Sequence, residues 1–167
     1  MRATLIGFLL AVIALFAAGP VAAQTSEAAV AKYVSSADIQ ALVTKAMAEH
    51  KPGAANTLES ILQLAPYNVN LEYRTGVATA SVHEHEAELF VVLDGSGTVV
   101  TGGKLINEKR VDAANLQGTG IEGGMPRAVA KGDVIFVPEN TPHWYSQVNG
   151  TLILMSMHVP RPVPAAQ

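Results

Sequence analysis

Residues 83–95 run His83-Glu84-His85-Glu86-Ala87-Glu88-Leu89-Phe90-Val91-Val92-Leu93-Asp94-Gly95. On an extended strand, residues two apart project from one face, so His83 and His85 are expected to point together. The chain then enters an apolar strand over 89–93, with Glu88 at its entrance. A second stretch runs Gly132-Asp133-Val134-Ile135-Phe136-Val137-Pro138-Glu139-Asn140-Thr141-Pro142-His143. Its two prolines bend the chain between strands, and His143 follows the bend, placed to aim inward. Three neutral imidazoles and one carboxylate suit Fe, Mn, Co, Ni, Cu or Zn, whereas Ca and Mg prefer oxygen ligands. A lone His-x-His also fits an ordinary surface strand, so the second stretch is what turns the reading toward a metal.

Outward from these stretches the texture is that of an all-β domain. Segments 69–75, 77–83, 88–93, 97–101, 105–111, 127–131, 133–137, 143–148 and 151–158 are short and rich in Val, Leu, Ile, Thr and Tyr. Gly, Asn, Asp and Pro punctuate them, which predicts a sandwich or barrel. Asp94-Gly95-Ser96-Gly97 reads as a tight hairpin connection. Residues 102–127 read as a hairpin carrying a long glycine-rich polar excursion. Upstream, Ile39, Leu42, Val43, Ala46 and Met47 recur at helical steps. They predict an amphipathic helix over 36–50, with Ser36 as a cap and Pro52-Gly53 as its end. Its apolar stripe is expected to cover either the outside of the barrel or a second subunit. His50, at the helix end, is expected to interact with the helix dipole rather than a metal.

The two histidine stretches resemble the paired motifs of the cupin superfamily. The first motif is a glycine, His-x-His, a glutamate and a glycine, matched by Gly76, His83, His85, Glu88 and Gly95. The second is matched by Gly132, Pro138, Asn140, His143 and Gln147, with every spacing kept. Three features depart from the pattern. Six residues separate Gly76 from His83, where five is usual. Two residues separate His85 from Glu88, where three or four is usual, which admits Glu86 as a rival ligand. Asn140 and Gln147 replace a glycine and an asparagine, and asparagine also tolerates the left-handed turn conformation. The resemblance implies a double-stranded β-helix, the cupin jelly-roll barrel, over residues 67–160. It also implies one divalent transition metal (Fe, Mn, Cu or Zn) on His83, His85, Glu88 and His143, a small-molecule ligand and a homodimer.

Strand alternation places Tyr145 and Gln147 beside His143 on one face, and Phe90 and Val92 follow Glu88 inward. Tyr145 is therefore a candidate to donate a proton or hydrogen bond to a substrate, or else an ordinary barrel tyrosine. Trp144 alternates outward. Arg74 and Arg127 are candidate carboxylate binders, or surface charges. Glu122 becomes a candidate catalytic group if the polar excursion folds over the barrel mouth as a lid. The reading implied for the family is a metal-dependent enzyme acting on a small oxygenated compound, an oxidoreductase of the dioxygenase type. The alternatives are a binding protein without turnover and a non-redox isomerase or lyase.

The ends of the chain set its expected location. Arg2, an apolar run over 5–18, Gly19-Pro20 and the small residues Val21-Ala22-Ala23 have the layout of a secretory signal peptide over 1–23. The run is shorter than the roughly 20 residues of a spanning helix. Cleavage would leave a linker and helix over 24–66, the barrel, and an exposed tail over 161–167, in the periplasm or outside the cell. Removing Arg2 takes 11 basic residues to 10 against 14 acidic, a net charge of −4. That balance speaks against nucleic-acid binding. The chain has no cysteine, which excludes disulfides and thiol catalysis.

Overall fold

The computed structural model describes residues 31–161. The expected signal peptide and most of the expected tail lie outside the described residues. Helix α1 spans Ser36–Glu49, and its first cap is Ser35 rather than Ser36. The Ser35 side chain accepts from the Asp38 backbone while Asp38 accepts from the Ser35 backbone, a reciprocal capping box. Among the described residues no helix is long and apolar enough to cross a membrane.

The rest is β structure. The strands are β1 (Asn56–Leu64), β2 (Tyr67–Arg74), β3 (Ala80–His83), β4 (Glu86–Thr101), β5 (Lys104–Ile106) and β6 (Lys109–Arg110). They continue with β7 (Asn115–Gly118), β8 (Gly120–Glu122), β9 (Met125–Ala130), β10 (Val134–Val137) and β11 (His143–Pro160). Strand β11 is the spine. It pairs antiparallel with β2 from Leu152 to His158, with β4 along nearly its whole length, and with β3 where His143 faces Ser81. Strand β4 also pairs with β10 through its first half and with β9 through its second. Strands β3, β7 and β6 continue the sheet, and β5 pairs with β8 alone. Among the described residues this is a double-stranded β-helix with one helix, as the sequence predicts.

Three local expectations change. Residues 94–97 do not turn the chain, because β4 runs straight through them. Gly95 sits at φ +81°, and a Cβ there would fall 2.0 Å from the Thr151 carbonyl oxygen. The glycine thus serves a close approach of β11, where the β4–β11 register shifts between Val148 and Leu152. Strand β1, in a region the sequence left without a strand, pairs with β2 through a register shift between Ser60 and Leu62. Third, the polar excursion is no free lid. Its middle forms β7, which pairs with β3 from Ala80↔Gly118 to His83↔Asn115.

Strand β2 is covered on both faces. Leu71 and Tyr73 point out and pack with Ala46 and Ile153, joined by Ile39 and Val43 of the helix. The helical stripe therefore covers the outside of the barrel of its own chain. Asn68, Asn70, Glu72 and Arg74 alternate to the inside. The apolar interior is built from Phe90, Val92, Val99, Val129, Val137, Tyr145, Leu152 and Leu154.

Candidate metal centre

Three histidines on the strands converge on one carboxylate. Glu88 stands near the start of β4, buried, directly across from His158 in the β4–β11 register. His83 ends β3, and His143 opens β11. His83 Nε2 lies 3.3 Å and His143 Nε2 3.1 Å from Glu88 Oε2, and His158 Nε2 lies 3.3 Å from Glu88 Oε1. Ligand atoms of His83, Glu88 and His158 all fall within 4.8 Å of one another. The imidazoles of His83 and His143 are 5.2 Å apart, and those of His83 and His158 4.7 Å.

The other nitrogen of each ring is also held. His83 Nδ1 is 2.6 Å from Asn115 Oδ1, and the Asn115 amide nitrogen donates to both oxygens of Asp112. A carboxylate only accepts, so Asn115 must turn its NH2 to Asp112 and its oxygen to His83. His83 Nδ1 is then the protonated nitrogen. His143 Nδ1 lies 3.1 Å from the Thr141 carbonyl, and His158 Nδ1 3.0 Å from Glu86 Oε2. Both partners are acceptors, so these nitrogens carry protons as well. In their neutral forms all three rings thus present bare Nε2 lone pairs to the Glu88 carboxylate. Lone pairs and a carboxylate cannot face one another unless positive charge lies between them. A divalent ion supplies it, and the outer oxygen on each imidazole is the usual support of a ligating histidine. The residues present fit such an ion.

Without an ion, protons must fill that role. Burial works against the charged form of His83, but hydrogen bonds to Glu88 and Asn115 outweigh it and hold its pKa above the usual value. Burial likewise acts to raise the Glu88 carboxyl. Hydrogen bonds from His143 and His83 prevail and bring it down to about 2.

The sequence-expected set His83, His85, Glu88 and His143 is thus only partly brought together. His85 is exposed and stands away from the cluster. Strand β3 ends at His83, and the next two residues form a bend fixed by Glu84 N–H to the Ala114 carbonyl and Arg161 N–H to the His85 carbonyl. Alternation does not extend across that bend. Four residues separate His83 from Glu88, the usual gap between the second motif histidine and the glutamate. In that register Ser81 stands in the first histidine's place. His158 supplies the third imidazole, and the sequence reading missed it. The inward sequence Leu152, Leu154, Ser156, His158 carried the signal, since the first three are buried and His158 continues their alternation. Glu86 holds His158 from outside rather than competing with Glu88.

Tyr145 is buried beside the centre, its ring 5.5 Å from Phe90, whose own ring is 6.0 Å from His143. Its hydroxyl has no hydrogen-bond partner. Burial, with Glu72 nearby, pushes its pKa far above the usual value, so it stays protonated. Arg74 lies 4.8 Å from the Tyr145 ring centroid and pairs with Glu72. Glu122 is exposed on β8, opposite Lys104, and Arg127 is exposed on β9; neither lines the cavity at the centre. Gln147 is exposed too, because the β4–β11 register shifts between Tyr145 and Gln147. Asn140 adopts the left-handed conformation at φ 56°, as its place in the second motif requires. Trp144 donates from Nε1 to the Ala78 carbonyl and helps line the cavity.

Two cavities flank the cluster. One, of about 290 Å³, is lined by Glu72, Arg74, Glu88, His143 and Tyr145 among others. The second, of about 300 Å³, lies toward Asn68, Asn70, Asp112 and His158.

A family model described as Cupin matches residues 41–160. No curated protein matches the chain in sequence. Solved structures resemble its fold. KdgF from Halomonas sp. is 14% identical, with 68% of this chain and 86% of that one covered at a TM-score of 0.49. A protein from Bacillus halodurans is 19% identical, covering 69% and 78% at 0.47. A Klebsiella pneumoniae protein with a double-stranded β-helix domain is 14% identical, covering 66% and 77% at 0.48. Likeness at these levels carries no argument about activity.

Proposed function

The chain belongs to the cupin family, and we propose that it is a metal-dependent enzyme acting on a small oxygenated molecule, with O2-using oxidoreductase chemistry. The observation that carries this reading is the convergence of His83, His143 and His158 Nε2 on Glu88, each ring held from behind by an acceptor. These four residues are the proposed ligands. A bound redox-active divalent metal supplies Lewis acidity and electron transfer.

The protein's own residues do the rest. Phe90, Trp144 and Tyr145 keep part of the cavity wall apolar, while Glu72 and Arg74 supply polar contacts. Beyond the proposed ligands, the ionisable groups on this wall are Tyr145, Glu72 and Arg74. Tyr145 stays protonated, and Glu72 holds Arg74 through Oε2. This favours chemistry centred on the metal over proton-transfer isomerisation, the competing reading. The proposed setting is the periplasm or the exterior of the cell, on the sequence of residues 1–23.

The test is elemental analysis of protein purified without chelators, paired with oxygen uptake on a panel of phenols, diketones and hydroxy acids. About one metal per chain and substrate-dependent oxygen consumption are expected. Equal turnover without oxygen, or full activity with zinc, would replace oxidation by isomerisation or lysis.

A further inference from the structure

Strands β10, β4, β11, β2 and β1 lie side by side, and Glu88 and His158 point inward from them. Their outward face is apolar. Register sets Val134, Val91, Met155 and Leu71 in one row across four strands. The next row is Phe136, Leu89, Met157, Val69 and Leu62 across five. Beyond it Val159 faces Ala87, and Tyr67 faces Leu64. An antiparallel sheet with one face on the core ordinarily alternates to polar residues on the other. Here the alternation places apolar side chains outside as well.

Helix α1 covers one end of this face, over Leu71, Tyr73 and Ile153. Past the helix the face stays open. Phe136 is 60% exposed and Val134 63%, while Leu89, Val91, Met155 and Met157 are half-buried. Three rows across five strands span roughly 500 Å², at about 4.8 Å between strands and 3.3 Å per residue. That is the size of the largest apolar patches on monomers. Protruding side chains and a rim bring it toward the about 800 Å² per partner of a stable interface. The rim is charged and balanced. Asp94 pairs with Lys131, Glu139 with Arg161, and Glu59 with Lys45 of the helix. An apolar centre inside a polar rim is the anatomy of a protein interface. A lipid surface would instead call for unpaired cations around the apolar residues. Because the rim charges are matched within the chain, the face selects a partner by apolar shape rather than by charge. A copy of this chain offers such a surface, and a twofold axis sets the patch upon itself.

We propose that the outward face of β10, β4, β11 and β2 docks a second copy of this chain across a twofold axis, burying Val134 and Phe136 between the two sheets. Sheets packed face to face lie about 10 Å apart with their side chains interdigitated. The long side chains of Phe136, Met155 and Met157 fill that gap.

Sedimentation velocity on the purified protein across the micromolar range tests the proposal, and twice the chain mass is expected. Phe136→Glu is expected to raise the dimer dissociation constant by at least about a hundredfold, because twofold symmetry buries the charge twice. Val134→Glu is expected to act in the same way. Both positions are exposed in the single chain, so the fold accommodates the substitutions, and far-ultraviolet circular dichroism separates lost association from lost folding. Met125→Glu should leave the mass unchanged. Met125 is as exposed as Phe136, at 62%, but lies on β9, which pairs with the other half of β4. A second readout needs no variant. Peroxide oxidation of Met155 and Met157 is expected to slow as the dimer forms, while that of Met125 does not. A monomer throughout the micromolar range overturns the proposal, as does a dimer that tolerates both β10 substitutions or is broken by Met125→Glu. So does a monomer that floats with vesicles of phosphatidylcholine and phosphatidylglycerol, which would assign the face to lipid.

Discussion

The barrel interior has two parts that obey opposite rules. In one, Val92, Val99, Val129, Val137, Leu152 and Leu154 fill the space between strands and expose almost nothing. In the other, His83, Glu88, His143, His158 and Glu72 bring ionisable groups into the barrel, beside two cavities. The same strands build both parts. On β4, Glu88 precedes Phe90 and Val92; on β11, Leu152 and Leu154 precede Ser156 and His158. Moving a few residues along one inward face crosses from packing to chemistry. The apolar part supplies the rigidity that holds four ligands from three strands in register, and the polar part gives up packing for function.

Mutations that touch one part alone sharpen this division. Leu154→Ala empties a fully buried position in the apolar part and should destabilise the fold by about 2–5 kcal/mol. Denaturant titration measures that loss, and metal bound per folded molecule should not change. Asn115→Ala acts only on the polar part. It removes the acceptor that fixes the His83 ring, and metal affinity should fall by about 10–100-fold. Competition with a chromogenic chelator reads the change. Equal affinity would mean that His83 needs no outside support.

Acidity separates the two parts more gently. In metal-free protein the Glu88 carboxyl is lowered from an ordinary 4.5 to about 2, so its contribution is complete above pH 4.5 and lost as pH falls toward 2. His83 is raised above an ordinary 6.5, so its contribution is complete below pH 6.5 and lost as pH rises through the raised value. Metal-free protein should therefore be most stable between about pH 4.5 and 6.5. Metal should extend that range upward, because it displaces protons from the imidazoles. Melting curves from pH 3 to pH 9, with and without metal, test both statements. An identical profile in the two samples would remove the ion from the cluster.

Much of this architecture can be read from the sequence, and the failures have physical causes. The helix is announced by its apolar period, and His83, Glu88 and His143 by two ordered motifs. Strand β1 is obscured because the shift between Ser60 and Leu62 interrupts its alternation and Leu58 is exposed on it. The hairpin expected at Asp94-Gly95 is a local turn signal overruled by a distant partner, the Thr151 carbonyl that approaches Gly95. His85 fails for the same kind of reason. The bend that turns it outward is fixed by Ala114 and Arg161, neither adjacent in sequence. His158 is the instructive case, since its alternation with Leu152, Leu154 and Ser156 was legible, but no motif drew attention to it.

The exchange of His85 for His158 is therefore the most exposed part of the account. Metal content per chain in His158→Ala and His85→Ala, purified side by side without chelators, tests it directly. His158→Ala should lose most of the metal, while His85→Ala should retain it and change stability by no more than about 0.5 kcal/mol, as expected of an exposed position. Metal lost from His85→Ala and kept by His158→Ala would contradict the centre described here.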